Sequence, residues 1–210
     1  MKRITLCILL LTGIIMFVFL SFTGCSLNKE VQNSRAKLLQ KGKITEDTSY
    51  LYWLPYENGT SHLLVQAYYS RLTHKNRIAL DFKMKKGTKI CAARGGVVMR
   101  TKEDGNKGGL KGGYRQYANY IVIQHDDGSR AGYWHLKQNG VFVNVGDTVK
   151  KGQVIGLSGN TGYTAFPHLH FVVWRFDENG QWQQVPARFQ TSKKKRYLRP
   201  MRFFRSKHSN

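Results

Sequence analysis

His168 and His170 stand two apart in Pro167-His168-Leu169-His170-Phe171. In a strand, side chains at i and i+2 leave from the same face. The two imidazoles therefore converge on one spot, which suits a metal ion or a proton-transfer site. Asp81, in Ile78-Ala79-Leu80-Asp81-Phe82, and His135, in Gly132-Tyr133-Trp134-His135-Leu136, are each a polar group inside an apolar, strand-like run. Carboxylate and imidazole together form a ligand set suited to Zn²⁺, with a histidine left over for acid–base work. Any one of these residues alone reads as a core side chain satisfied by hydrogen bonds, and only the constellation points to chemistry.

The elements that must position these groups are short and β-like. Runs rich in β-branched and aromatic residues cover 78–82, 89–93, 96–101, 119–125, 130–136, 141–145, 154–158 and 168–176,. Turn chemistry falls between them, as in Lys86-Gly87, Asp127-Gly128, Asn139-Gly140, Gly146-Asp147 and Asn179-Gly180,. The spacing predicts a single all-β domain with little helix. Asp104 to Gly113 reads as a flexible glycine-rich loop. It is no phosphate cradle, because no helix follows it. Cys91 sits in an apolar run and reads as a buried structural thiol, which excludes a cysteine–histidine hydrolase,.

Of the 210 residues, 34 are Lys or Arg and 12 are Asp or Glu, a formal charge of +22. Such a field attracts polyanions. The start of the chain decides which kind: Met1-Lys2-Arg3 precedes an uncharged run from Ile4 to Phe22 and then Thr23-Gly24-Cys25. Residues 1–24 read as an export signal or a membrane anchor. Phe22-Thr23-Gly24-Cys25 resembles a bacterial lipobox, which implies a lipoprotein anchored through Cys25 in the cell envelope. The expected anionic partner is then phospholipid, lipopolysaccharide or teichoic acid, and no nucleic acid is expected. Residues 25–47 read as a tether with one short helix-compatible stretch around Val31 to Gln40, 48–190 as the functional domain, and 191–210 as a basic tail that is solvated or touches a membrane surface,.

From about Leu51 to Trp174 the chain resembles the M23 family of zinc metallopeptidases, the lysostaphin-like and LytM-like cell-wall endopeptidases. The resemblance rests on Ala79-Leu80-Asp81-Phe82, Lys86-Gly87-Thr88 with Gly95-Gly96, Asn119 to His125, Tyr133-Trp134-His135-Leu136, Val145-Gly146-Asp147 through Gly156, and Pro167 to Phe171. It implies a small antiparallel sheet with a groove, one Zn²⁺ per chain, and hydrolysis of peptide cross-links in peptidoglycan. It further implies Asp81 and His170 as metal ligands and His135 and His168 as unliganded catalytic histidines. The chain departs from the family's His-x-x-x-Asp pattern, because Arg77 stands four residues before Asp81 and guanidinium has no lone pair to give,. Two alternatives follow. His74 supplies the third ligand, which needs a turn or bulge at Lys75-Asn76-Arg77 because an odd separation in a continuous strand points to opposite faces. Otherwise Arg77 pairs with Asp81 in place of the metal, leaving a degenerate domain that binds the wall or regulates a wall-hydrolase partner.

Overall fold

A computed structural model describes residues 30–31, 33–44, 50–70 and 73–208. The signal or anchor reading of residues 1–24 and the lipidation reading of Cys25 lie outside the described residues. Among those described, no helix is long and apolar enough to cross a membrane.

The fold is all-β and mostly antiparallel. Its main sheet runs, in spatial order, Thr148–Val149, Gly96–Lys102, Tyr120–Gln124, Arg130–Trp134, His168–Phe176, Ala79–Lys83, Ser61–Gln66 and Arg202–Arg205, with Trp182–Gln184 also pairing with His168–Phe176. The central strand is His168–Phe176. Its alternation sorts chemistry from packing, since Leu169, Phe171 and Val173 are buried in the hydrophobic core while His168, His170, Val172 and Trp174 line a groove on the other face,. Leu80, Phe82, Ile121, Ile123, Ala131 and Tyr133 complete the core side from neighbouring strands. Each fully buried aliphatic or aromatic side chain contributes roughly 1.5–3 kcal/mol to this floor. A second sheet of Lys89–Cys91, Val154–Ser158 and Leu136–Val141 packs nearby, and a third joins Leu51–Trp53, Arg188–Gln190 and Lys195–Tyr197.

Register brings the site together. Gln66 is opposite Asp81, Asp81 is opposite His170, and His170 is opposite Trp134. One row of side chains thus crosses four adjacent strands.

Four expectations are corrected. Residues 33–41, in the segment read as a tether, form a helix over the helix-compatible stretch, and this helix packs on the domain, since Ala36 and Leu39 are each 2% exposed and belong to the core. Its end is closed by Gly42 at φ +67, with Gly42 N donating to Leu39 O and Lys43 N to Leu38 O, a left-handed cap that glycine adopts without steric cost. Residues 191–210, read as a solvated tail, contain two strands, and Arg202–Arg205 pairs with Ser61–Gln66 in the main sheet. Phe204 is 5% exposed there. The glycine-rich stretch 104–113 is pinned rather than free: Gly105 exchanges two hydrogen bonds with the Asn119 side chain, and Gly108–Gly109 pairs with Gly162–Tyr163. The 141–145 run also differs, since the strand there is Leu136–Val141.

Candidate metal centre

Asp81 comes from the strand beside the histidine strand and is 2% exposed. Its Oδ1 lies 2.7 Å from His170 Nδ1 and 3.7 Å from His168 Nε2, and its Oδ2 lies 3.1 Å from His74 Nε2. Gln66 Nε2 donates to the same Oδ2 at 2.9 Å. Burial alone would push the carboxyl up, but the surrounding imidazoles and their hydrogen bonds hold it well below the usual carboxylate range,.

His74 reaches Asp81 because the chain turns between them. Arg77 N donates to His74 O at 3.1 Å, closing a turn over Lys75 and Asn76, and Tyr69 N donates to Arg77 O at 3.0 Å,. The turn buries His74, at 1% exposure, and leaves Arg77 exposed. Among the described residues no ion pair joins Arg77 to Asp81, so the guanidinium does not occupy the place of a metal.

The donor set fits a divalent cation. Ligand atoms of His74, Asp81 and His170 lie within 4.8 Å of one another, as do those of His135, His168 and His170. Charge separates these overlapping sets, since only the first carries the buried anion. Tautomers favour it too: His74 Nδ1 lies 3.3 Å from Ala67 O, and a carbonyl only accepts, so Nδ1 holds the proton. The bare Nε2 then faces Asp81 Oδ2, acceptor against acceptor, unless a proton or a cation lies between them. In a chain with 34 Lys and Arg, among the described residues none of their nitrogens lies within ion-pair distance of this carboxylate.

His135 and His168 form the other wall, with ring centroids 4.7 Å apart. His135 Nδ1 donates to Thr161 O at 2.7 Å and His168 Nδ1 to Phe166 O at 2.7 Å, leaving both Nε2 atoms as acceptors. Burial first, then the neighbouring His168 and His170 charges, pull His135 down to about 3. Burial likewise lowers His168, against the pull of Asp81. Following Trp134, His135 would point to the core face in a regular strand. Its φ of +67 turns the ring into the groove instead, a conformation uncommon outside glycine and found at functional sites.

The chain matches the family model described as peptidase family M23 over residues 75–185, more than half its length. The chain belongs to peptidase family M23. The matched span starts one residue past His74 and includes Asp81, His135, His168 and His170. This M23 chain is 40% identical over 108 residues to an uncharacterized metalloprotease of Buchnera aphidicola subsp. Baizongia pistaciae, covering 50% of the chain and 26% of that relative. It is 40% identical over 91 residues to the peptidoglycan DD-endopeptidase ShyA of Vibrio cholerae, covering 43% and 18%. Lysostaphin of Staphylococcus simulans is 39% identical over 92 residues, with coverage of 44% and 17%. The chain thus spans about a quarter or less of these curated relatives. Among solved structures, the catalytic domain of lysostaphin from Staphylococcus simulans aligns with 31% identity, 60% of this chain, 87% of that one and a TM-score of 0.41.

Sequence reasoning missed Gln66, which holds Asp81 and also binds Thr73 through both ends of its amide, Nε2 to Thr73 Oγ1 at 2.8 Å and Oε1 from Thr73 N at 3.0 Å. One polar residue ending a strand gave no local signal, and its role depends on pairing with a strand fifteen residues on. Thr164, whose Oγ1 is 3.2 Å from His168 Nδ1, was missed likewise. Tyr163 lines the groove, whereas Tyr114 packs edge-on against Tyr117. Cys91 is buried, and burial followed by the Glu57 charge raises its thiol to about 11, as a structural cysteine requires. His125 is also remote from the groove, its Nδ1 2.8 Å from Gly95 O.

Proposed function

We propose that this M23 domain is a zinc-dependent endopeptidase that hydrolyses peptide bonds in bacterial peptidoglycan cross-links. The observation that carries the reading is the buried Asp81, ringed by His74, His170 and His168 with no Lys or Arg in reach among the described residues. Similarity to relatives named as a peptidoglycan endopeptidase and as lysostaphin supports the substrate class. His74, Asp81 and His170 would hold the metal. When bound there, zinc supplies Lewis-acid polarisation of the scissile carbonyl and makes water acidic near neutral pH.

The remaining steps fall to the protein. His135 and His168 each offer a bare Nε2 while a backbone carbonyl fixes the proton on Nδ1. His168 takes the proton of the attacking water and returns it to the leaving amine, since His135 is the weaker base of the two,. The imidazole that gains that proton becomes an N–H donor to the developing oxyanion. Gln66 and the His74 turn fix the carboxylate and one imidazole, so that little rearrangement accompanies the reaction.

The proposal extends to place: an export-type start and a lipobox-like Cys25 support anchoring in the cell envelope, where a basic surface meets phospholipid, lipopolysaccharide or teichoic acid,. Zinc analysis of the full chain, with release of peptides from purified peptidoglycan, tests the enzyme. About one zinc per chain and a chelator-sensitive release are expected. Zinc-loaded chain that releases nothing would overturn the activity and leave the degenerate, wall-binding reading.

A further inference from the structure

Among the described residues, the groove of roughly 500 Å³ is lined by two guanidinium groups from different walls, Arg77 and Arg115. Arg77 follows the His74 turn and is exposed. Arg115 lies on the 3-10 turn Gly112–Tyr117, its Cζ 4.8 Å from the Tyr163 ring centroid. Stacking on that ring orients the planar fork and lowers the entropy lost when it binds.

Among the described residues neither arginine has a carboxylate partner, and the carboxylates that pair with Lys or Arg lie outside the groove. Glu57 meets Lys89, Asp104 meets Lys102, and Asp126 and Asp127 meet Arg94. Among the described residues Asp81 is the groove's one acidic lining residue, and it is buried against imidazoles. The groove therefore offers two carboxylate-binding forks and no internal carboxylate to fill them.

We propose that Arg77 and Arg115 are specificity residues that bind free carboxylates of the substrate peptide flanking the scissile bond, so that the domain selects acidic cross-linked peptides over their amidated counterparts. This rests on the peptidase reading above. It also gives Arg77, which stands where a ligand histidine is usual in the family, a use in the site it does not ligate.

The test uses the full zinc-loaded chain and two synthetic cross-linked peptides of one sequence, with free carboxylates or with carboxamides. The acid form is expected to show a kcat/KM about tenfold higher, an advantage that shrinks with added salt as exposed charge pairs are screened. Arg77→Gln and Arg115→Gln should each lower the acid-to-amide ratio, and Arg→Lys should restore it in part, because charge returns without the fork. Equal rates on both peptides in the wild type, or an unchanged ratio in both Gln variants, would overturn the clamp while leaving the peptidase intact. A ratio that falls in one variant alone removes the other residue from the assignment. If neither peptide is cut, the peptidase reading fails, and calorimetric titration of the same two peptides still decides the clamp. Tighter acid binding lost in the Gln variants supports it, and equal binding overturns it.

Discussion

Asp81 and Asp127 are both held ionised below the usual carboxylate range, but by different company. Burial raises Asp127, and the Ser129 hydroxyl and the Arg94 guanidinium outweigh it. Arg94 Nη1 stands 2.9 Å from Asp127 Oδ2, and Ser129 Oγ 2.5 Å from Oδ1. Around Asp81 the cationic place is taken by three imidazoles and an amide. A guanidinium keeps its protons at every relevant pH, so Asp127 is already neutralised and closed to a metal. An imidazole can shed its proton and offer a lone pair, so the Asp81 cluster stays open to a cation. What separates a structural carboxylate from one open to a metal here is whether its neighbours can deprotonate.

The sharpest way to break this contrast is to neutralise each carboxylate in turn. Asp81→Asn should abolish zinc binding and cut hydrolysis at least about a thousandfold, more than ~4 kcal/mol in the barrier. Metal analysis and peptide release check it, and retention of both would end the assignment. Less drastic is the acid response of the Arg94 cluster. His125 is drawn down to about 4, chiefly by burial, with the Gly95 carbonyl, Asp127 and Asp126 opposing and Arg94 assisting. Its unfolded value is near 6.5, so as pH falls the unfolded chain takes up the proton first. The associated stability is intact above about 6.5 and is lost between there and about 4, up to about 3 kcal/mol. Denaturant melts across that range should show the loss, and His125→Gln should remove its share while leaving the part that the buried His135 and His168 contribute.

Smaller still is the effect of removing support from a ligand. Gln66→Leu should weaken zinc about tenfold in chelator competition, as loss of a group orienting a ligand does, while His125→Gln leaves zinc affinity unchanged. The smallest change is Asp127→Asn, expected to cost about 1 kcal/mol, because the pair with Arg94 is partly exposed. Calorimetry would register it with zinc content unaltered.

Much of the fold was legible locally. Strands Lys89–Cys91, Gly96–Lys102, Val154–Ser158 and His168–Phe176 begin where composition and turns place them, because each is a β-branched or aromatic run between glycines. The i, i+2 pair His168 and His170 was readable from strand period alone. His74 needed a turn whose closure depends on Tyr69 and Arg77, and the parity of His135 was hidden by a single backbone angle. Strand Arg202–Arg205 was read as charge, and the helix at 33–41 was legible as helix-compatible but not as part of the core. Both are held by partners far along the chain: the strand pairs with Leu64 and its neighbours, and Arg199 Nε donates to Gln40 O in the helix at 2.6 Å. Local composition holds no record of such pairings.

The backbone at His135 has a further consequence for how this domain responds to selection. A left-handed residue that is not glycine carries strain on the order of 1–3 kcal/mol, held here to aim one ring. Screening variants for heat resistance alone would favour Gly or Asn at 135. Robustness and turnover therefore pull on this position in opposite directions, and a library enriched for the first should be depleted of the second here before anywhere in the core.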